Sequence, residues 1–279
     1  MAIKIPVIDR VPTYPGRVVL NPVPGQTNTY DMVRADAPTQ VGTPINKALL
    51  DNKAYTLTAN VTVYVNGSTG SDSTGNGSSS APFATIQRAV NEIPKCLGGF
   101  TAVIDIAEGT YEGRVVIEGF QGGVLELGIA GRAVTVRGIQ VVSSSTVKIN
   151  VAEIVRTANV VGTLLSVRNN SYVLLGGRLA VDALGAEISG VVVETNSAVS
   201  AVESTILIVR NCAYNAIYAT GGSRLALAGI AGAGSGVGLR VDSGSVVSFA
   251  TRSLTATTDY ITTNGGRIYT GAQSSIPSY

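Results

Sequence analysis

The sequence predicts an all-β chain that folds as a single-stranded, right-handed parallel β-helix, with an N-terminal capping helix and an extended Pro-rich N-terminal segment. Three observations predict this fold. Short clusters of Gly, Ser and Asn recur every 21–26 residues through the second half of the chain, and each leads into an apolar, β-branched run. The chain has 33 glycines, and only 14% of its residues are charged, against about 25% in ordinary globular proteins. Seven of the ten prolines stand in residues 1–60.

The repeat is clearest when the clusters are aligned on the residue that closes each of them. The five clearest clusters close at Ser171, Ser197, Ser223, Ser245 and Gly266. The steps between these residues are 26, 26, 22 and 21. Two weaker clusters, at 121–123 and 143–145, extend the spacing upstream with steps of 22 and 26. Because strands of successive coils stack about 4.8 Å apart, six such steps predict a solenoid roughly 30 Å long.

Apolar runs with partial alternation lie between these clusters and predict the strands of the coils. They span residues 115–117, 134–136, 147–149, 191–193, 206–208 and 225–227. Gly and Asn at the corners supply the positive φ that a sharp turn between two faces requires. The Leu spacing of a leucine-rich repeat is absent, and a β-sandwich does not explain a recurring turn signature. A parallel β-helix explains both the strands and the turns.

One helix is predicted before the first coil. Its apolar residues fall three or four positions apart and share one helical face: Phe83, Ile86, Val90, Ile93 and Leu97. Ser79 or Ser80 is the predicted N-cap, with Pro82 in the first turn, and Pro94 with residues 98–99 ends the helix. Since an open terminal coil exposes unpaired strand edges, we expect this apolar stripe to lie across the first coil as a cap.

The Pro-rich residues 1–60 differ in composition from the rest, and extended chain of this kind seldom folds alone. We expect them to form an attachment segment that lies along a neighbouring protein. A strand at 61–65, a Gly/Ser/Asn loop at 66–80 and the capping helix make up a second region, 61–99. The parallel β-helix is expected to occupy residues 100–279.

The composition excludes several kinds of chemistry. The chain has no His, which removes the usual general base and the commonest zinc ligand. Cys96 and Cys212 are too few for a disulfide framework or a four-cysteine metal site, and both are predicted to be free, buried thiols. A formal net charge of +2 gives no electrostatic footprint for nucleic acid or an anionic membrane. No cofactor, metal, nucleic acid or membrane insertion is expected.

Residues 64–72, Tyr-Val-Asn-Gly-Ser-Thr-Gly-Ser-Asp, and 82–90, Pro-Phe-Ala-Thr-Ile-Gln-Arg-Ala-Val, carry a first resemblance. They resemble the opening of pectin-lyase-like β-helix proteins, among them many phage tailspikes and secreted polysaccharide-active enzymes. The resemblance covers residues 61–117 and implies the fold rather than an activity.

Residues 83–90, 103–112 and 115–117 are also similar to the opening of pectin methylesterases. That family carries later motifs resembling Asp-Phe-Ile-Phe-Gly and Leu-Gly-Arg-Pro-Trp. This chain has neither motif and no Trp. The resemblance therefore implies the geometry of the opening coils and not esterase activity.

A third resemblance covers residues 11–51. Residues 14–18, 28–38 and 42–50, which include Gly-Thr-Pro-Ile-Asn, look similar to N-terminal segments of phage and prophage tail-appendage proteins. This implies a virion-anchoring segment followed by a β-helix, with candidate attachment residues Tyr14, Arg34, Asp36 and Asn46. Arg34 and Asp36 either form an ion pair that holds the segment against its partner or are an ordinary exposed pair.

A carbohydrate-cleaving β-helix needs carboxylates that face one another across a groove, or a basic residue with metal-binding acids. Glu194 and Asp242 fall at equivalent places two coils apart, about 9.6 Å by strand spacing. That distance is just beyond the range of inverting glycosidases. Because periodicity alone produces such coincidences, solvated turn acids are the preferred interpretation and catalysis the alternative.

Other binding motifs are incomplete. Tyr214 and Tyr218 are close enough in sequence for a small surface patch, which either packs at the surface or contacts a ligand. Residues 71–77 hold one acid, Asp72, where a calcium loop needs several, and predict a flexible loop. Residues 229–238 contain Gly-x-Gly spacings without a βαβ context and predict a corner loop rather than a nucleotide site.

The sequence therefore predicts a non-enzymatic virion structural protein: a tail fibre or spike-like appendage that docks onto other virion proteins through residues 1–60. We expect a homotrimer, synthesised in the host cytoplasm, that contributes to recognition of a host-surface glycan or protein. Two alternatives remain open. One is a tailspike that depolymerises host polysaccharide, and the other is a capsid decoration, head-fibre or baseplate component that never meets the receptor.

Overall fold

The computed structural model describes residues 18–25, 27–34, 56–144, 146–157, 162–201, 205–271 and 274–276. The chain divides into two compact units, Ala2–Ala54 and Tyr55–Tyr279, with Met1 grouped with the second. The described part of the first unit contains β1 (Val18–Pro22) and β2 (Tyr30–Arg34). The second unit contains, in chain order, β3 (Val61–Val65), α1 (Ile86–Glu92), β4 (Thr101–Ile106), β5 (Gly109–Tyr111), β6 (Val115–Glu118), β7 (Val124–Leu127), β8 (Val134–Val136), β9 (Ile139–Val142), β10 (Val147–Ile149), β11 (Glu153–Val155), β12 (Leu165–Arg168), β13 (Tyr172–Leu175), β14 (Leu179–Asp182), β15 (Val191–Val193), β16 (Ala198–Ala201), β17 (Ile206–Arg210), β18 (Asn215–Ala219), β19 (Arg224–Val241), β20 (Val246–Thr262), β21 (Arg267–Thr270) and β22 (Ser274–Ile276).

Strands β4 to β20 form a parallel β-solenoid of about seven turns. Face A contains β4, β7, β10, β13 and β16; face B contains β5, β8, β11, β14 and β17; face C contains β6, β9, β12, β15 and β18. The long strands β19 and β20 each run along all three faces. On face A, β3 pairs in parallel with β4 at one end and β21 with β20 at the other.

The strand register confirms the predicted repeat. One column of paired residues on face A follows the turn clusters with steps of 22, 26, 26, 26, 22 and 21 residues. All its members are at most 1% exposed: Leu125, Val147, Val173, Val199, Leu225, Val247 and Ile268. The register is fixed because a slip of one residue would turn this apolar column outward. The seven predicted strands, including the one at 61–65, also lie within strands of the structure.

A column of buried serines lines the corner that leads into face A. The backbone N–H of Ser144 donates to Ser171 Oγ at 3.1 Å, and that of Ser171 donates to Ser197 Oγ at 3.2 Å. The N–H of Ser223 donates to Ser245 Oγ at 3.0 Å. At a corner the strand ladder is interrupted, so these hydroxyls accept backbone N–H groups that would otherwise be buried without a partner.

The residues just before this column adopt paired left-handed conformations, as a tight turn of the type I′ class requires. Positive φ occurs at both members of five dipeptides, at 169–170, 195–196, 221–222, 243–244 and 264–265. Successive turns are joined by backbone hydrogen bonds, for example from Asn170 N–H to Thr195 O at 2.9 Å and from Asn196 N–H to Gly221 O at 2.8 Å. The prediction of positive φ at the corners is confirmed.

The predicted apolar stripe before the first coil is buried throughout, but the helix is shorter than predicted. Phe83, Ile86, Val90, Ile93 and Leu97 are each at most 3% exposed, whereas α1 spans only Ile86–Glu92. It ends where Pro94 prevents continuation. Helix α1 lies against β3, β4 and β6.

The predicted N-cap, Ser79 or Ser80, is wrong. The N-cap is Thr85, whose Oγ1 accepts the N–H of Arg88 at 3.2 Å. Residues before it are extended because Phe83 forms a β-bridge with Val65. The loop at 66–80 is made of hydrogen-bonded turns, and Asp72 accepts the N–H groups of residues 84 and 85 at 2.8 and 3.0 Å. The single acid of this loop therefore anchors the start of the helix.

The two thiols have different surroundings. Both are free, but Cys96 is exposed and only Cys212 is buried, so the prediction of two buried thiols is wrong for Cys96. Cys96 forms β-bridges with both Thr56 and Gln121, one residue before the apolar stripe ends at Leu97. Its side chain is therefore directed away from the core.

The Gly-rich residues 229–238 are not a separate corner loop, as predicted, but part of the continuous strand β19. The pairing of β19 with β20 shifts between Gly232 and Ser235, where the strand passes from face B to face C. The corner was therefore predicted at the right place, but it is an irregularity within a strand.

Strands β1 and β2 form an antiparallel hairpin in which Val18 lies opposite Arg34 and Leu20 opposite Met32. Its loop is closed by a hydrogen bond from Val23 N–H to Thr29 O at 2.9 Å. All residues of β1 are exposed. A two-stranded hairpin of this kind is marginally stable in water by itself.

Candidate functional site

The two tyrosines predicted as a surface patch have different environments. Tyr214, which stands just before β18, is 54% exposed. Tyr218 lies within β18, and its hydroxyl donates to Asp242 Oδ2 at 2.9 Å. The guanidinium of Arg240 lies 5.3 Å from the centre of the Tyr218 ring. Tyr218 is therefore held by residues of the next coil, whereas Tyr214 projects from the surface and is available to a ligand.

The Tyr218–Asp242 pair does not exchange a proton near neutral pH. Burial raises the pKa of the Tyr218 phenol, and its hydrogen bond to Asp242 raises it further. Burial also raises the pKa of Asp242, but hydrogen bonds from Thr220, Tyr218 and Ser243 outweigh this effect and hold it below its usual range. The phenol keeps its proton and the carboxylate keeps its charge, as expected of a structural hydrogen bond.

Glu194 and Asp242 occupy equivalent positions two coils apart, as predicted. They follow Val193 and Val241, which lie in one column of face C on either side of Ala219. Glu194 Oε1 lies 3.1 Å from Arg168 Nε, and Asp242 accepts the Tyr218 hydroxyl. Each carboxylate is thus engaged with a neighbouring side chain.

A second polar cluster, on face B, was missed by the sequence analysis. Arg210 Nε donates to Asp182 Oδ2 at 2.7 Å, and its Nη2 donates to Glu153 Oε1 at 3.0 Å. Asn211 Nδ2 and the N–H of Leu184 also donate to Asp182 Oδ1, at 3.0 and 2.9 Å. The repeat could have indicated this cluster, because Asp182 and Arg210 are 28 residues apart, about one coil, and the strand register pairs them.

Burial raises the pKa of the Asp182 carboxyl, but the hydrogen bonds and charge of its neighbours outweigh this effect and hold the pKa below its usual range. The largest of these opposing effects is the hydrogen bond from Asn211, and Arg210 adds both a hydrogen bond and its charge. Asp182 is therefore ionised at neutral pH. Arg210, which donates to both Asp182 and Glu153, ties three successive coils together.

A polar groove of about 430 Å³ lies where β7, β10 and β13 lead into β8, β11 and β14. Small residues leave this space open, and its polar lining consists of Arg132, Asn150, Glu153 and Arg178. Arg132 is paired with Asp105, whereas Arg178 is exposed. The groove offers both hydrogen-bond donors and acceptors, so it can contact a polar, hydroxyl-bearing ligand.

Of the four candidate attachment residues, only Arg34 lies in the described part of the chain. It is the last residue of β2 and lies opposite Val18. Tyr14, Asp36 and Asn46 lie outside the described residues. The role of the four residues stays a prediction.

Among the described residues, no group of three or more His, Cys, Asp or Glu side chains could hold a metal ion. No described helix is long and apolar enough to cross a membrane. Comparisons with known protein families, with characterised proteins and with solved structures found no match.

Proposed function

We propose that this chain is a non-enzymatic structural protein of a phage or phage-derived particle, a tail fibre or spike-like appendage attached through its N-terminal unit. In this proposal the solenoid is the right-handed β-helix of the appendage, α1 is its N-terminal cap, and the Pro-rich segment is its anchor. The observation that carries the proposal is an exposed apolar hairpin face within the segment that resembles tail-appendage N-termini.

That face follows from the hairpin register. Val18, Leu20, Met32 and Tyr30 alternate with the residues of the opposite face and therefore share one side of the hairpin. Their exposed fractions are 46%, 58%, 71% and 54%. Met and Tyr are enriched in protein interfaces, and the buried centre of an interface is more apolar than the rest of the surface. A partner that covered this face would also stabilise a hairpin that is marginal alone.

The cap assignment is supported by the edge of face C. Gln87, on α1, accepts the N–H of Val116 through Oε1 at 2.7 Å and donates to its carbonyl through Nε2 at 3.1 Å. The side-chain amide thus occupies the hydrogen-bonding groups that a preceding strand would have used. An edge satisfied in this way is protected against pairing with another chain.

The solenoid supports a structural and recognition role. Its charged side chains pair with neighbours in adjacent coils, as in the Asp182 cluster and the Arg168–Glu194 pair. A host-surface glycan or protein would meet the exposed Tyr214 or the polar groove around Arg178. We propose a homotrimer as the assembled form, because appendages of this class are usually threefold.

Antibody–gold labelling of intact particles from the source organism, viewed by electron microscopy, tests the assignment. Label at the tail tip is the expected result. Label over the capsid would instead indicate decoration or head-fibre function without receptor contact. Particles that carry no label, although the antibody recognises the purified protein, would remove the virion assignment.

The hairpin face is tested by comparing particle incorporation of Met32→Asp with that of Thr258→Asp, which places the same charge on an exposed strand position of the solenoid. We expect incorporation to fall only for Met32→Asp. Equal incorporation of both variants would show that the hairpin face is not the attachment surface.

Light scattering on the protein with its virion partner tests whether the assembled form is a trimer.

The depolymerase alternative predicts release of reducing ends, or of unsaturated products that absorb light, from host polysaccharide. We expect the purified protein to release neither kind of product. We also expect it to bind the host surface and to compete with particle adsorption. Release of products that is lost in Glu194→Gln but not in Glu108→Gln, an acid of the first coil, would overturn the non-enzymatic proposal.

A further inference from the structure

The two ends of the solenoid are finished in different ways. At the N-terminal end, β3 covers β4 and the Gln87 amide satisfies Val116 at the edge of face C. At the C-terminal end, β21 covers only residues 246–249 of the last turn. Among the described residues, no strand pairs with the outer edge of 251–262. Two of the three faces therefore end in a row of backbone N–H and C=O groups, which is a template for pairing with another chain.

Beneath this open edge, one inward column of the core changes from apolar residues to a charged residue. On face B, Leu179, Leu207 and Ile230 form one inward column, and each is at most 2% exposed. The next residue of that column is Arg252. An apolar column that has continued through three turns thus ends in a guanidinium group at the last one.

The Arg252 side chain is only 23% exposed, and its Nε and Nη2 atoms are buried. Nη2 lies 3.0 Å from Oδ1 of Asp259, an exposed residue of face C. The pair joins two faces at the end of the core. If a further coil stacked here, the guanidinium would lose its remaining contact with water, and burial of a charge is strongly unfavourable.

We propose that Arg252, with Asp259 as its counter-ion, is a stop that prevents copies of this chain from associating end to end through the open C-terminal edge. Exposed hydroxyl-bearing residues also lie along this edge: Thr251, Ser253, Thr255, Thr257 and Thr258. The inference rests on the solenoid alone and holds whether or not the protein belongs to a virion.

The test compares four full-length proteins by light scattering over a range of concentrations: wild type, Arg252→Met, Arg252→Leu and Arg224→Leu. Methionine retains an unbranched apolar stem and removes only the charged group, so this variant is expected to fold. Arg224 is an exposed outward residue one turn earlier, and its replacement also removes one positive charge. Each of the three variants must retain the β-sheet circular dichroism signal.

We expect the mass of Arg252→Met to rise with concentration to at least about twice that of the wild type, as closed pairwise association requires. Electron microscopy should show particles of doubled length. Wild type and Arg224→Leu should keep a constant mass. Arg252→Leu, which recreates the residue type of the column, should behave like Arg252→Met.

Two results would overturn the inference. An unchanged mass of both Arg252 variants, with their β-signal intact, would show that the guanidinium is not the stop. End-to-end pairs already present in the wild type would show that the open edge is an interface. Neither result bears on the attachment experiments, so failure here is distinguishable from failure of the proposed function.

Discussion

At the scale of single residues, stability depends on buried polar atoms that are satisfied from the neighbouring coil. Ser171 shows this, because its hydroxyl accepts the N–H of Ser144 at 3.1 Å and donates to Arg168 O at 2.6 Å. It is 2% exposed, so no solvent replaces a lost partner. Corner serines thus carry more of the stability than their size suggests.

Ser171→Ala is therefore expected to lower the free energy of unfolding by about 1–3 kcal/mol, the range for leaving buried polar groups unpaired. Urea denaturation monitored by circular dichroism measures the change. Ser253→Ala, at an exposed strand position, is the control and should change stability by less than about 0.5 kcal/mol. Equal losses in both variants would contradict the role of the serine column.

The thiols provide a second test at this scale. Hydrogen bonds from Thr56 and from the backbone of Gly98 lower the pKa of exposed Cys96, whereas burial raises the pKa of Cys212 to about 11. A thiol-reactive disulfide reagent should modify one cysteine of the folded protein quickly and the second only after unfolding. Cys96→Ser should abolish the fast reaction, and a fast reaction that persists in this variant would contradict the assignment.

At the scale of strands, the close approach of coils requires glycine at defined places. Gly232, where β19 turns the corner, has a φ of +134°, and a Cβ built there would lie 1.8 Å from Val209 O. No side chain fits this position unless β17 and β19 move apart. The strand pairing of face B therefore depends on the absence of a side chain.

Gly232→Ala is expected to lower the free energy of unfolding by more than about 2 kcal/mol, since backbone strain and a steric clash add. Gly177→Ala is the matched control, because a Cβ there meets only Ala130 Cβ at 3.9 Å. Chemical denaturation of both variants decides the point. A Gly232→Ala protein as stable as the control would show that β19 can relax away from β17.

Adjacent strands of face B are also coupled through charge. The pKa of Asp182 lies below its usual range in the folded protein, so the folded state binds this proton more weakly than the unfolded state does. The resulting stability is fully present above the usual carboxyl range of about 4 and is lost as pH falls through the lowered pKa.

Asp182→Asn is thus expected to be about 1–2 kcal/mol less stable than wild type at pH 7, a value reduced by the partial exposure of Arg210. The difference should begin to shrink as pH falls below about 4, where this carboxyl takes up its proton in the unfolded chain, and should disappear as pH falls through the lowered pKa of the folded state. Denaturation curves at a series of pH values measure it. A difference that stays constant down to pH 3 would contradict the linkage.

At the scale of the whole molecule, the division into two units predicts that the solenoid folds without the N-terminal unit. A chain that starts at Tyr55 keeps the bridge between Thr56 and Cys96 and the hydrogen bond from Leu57 N–H to Cys96 O at 3.0 Å. It should retain the β-sheet signal and the unfolding midpoint of the full chain, while losing particle incorporation. Loss of the β-signal would show that residues 1–54 are required for the fold.

The sequence by itself determined the solenoid, because a coil can recur only if its corner residues and its inward column recur at the same spacing. The clusters at Ser171, Ser197 and Ser223 gave the steps that the strand register reproduces. The same logic placed Glu194 and Asp242 at equivalent positions. It also identified the buried stripe before the first coil, since helical spacing is a local property of the sequence.

Only the tertiary structure decided what the repeat brings together. The start of α1 at Thr85 depends on Asp72 and on the bridge at Phe83. The exposure of Cys96 depends on the bridges that it forms with Thr56 and Gln121. The Asp182–Arg210 pair and the inward Arg252 become visible only when strands are stacked. Contacts between coils join residues more than 20 positions apart, and local spacing does not specify which of them meet or which side of the wall they face.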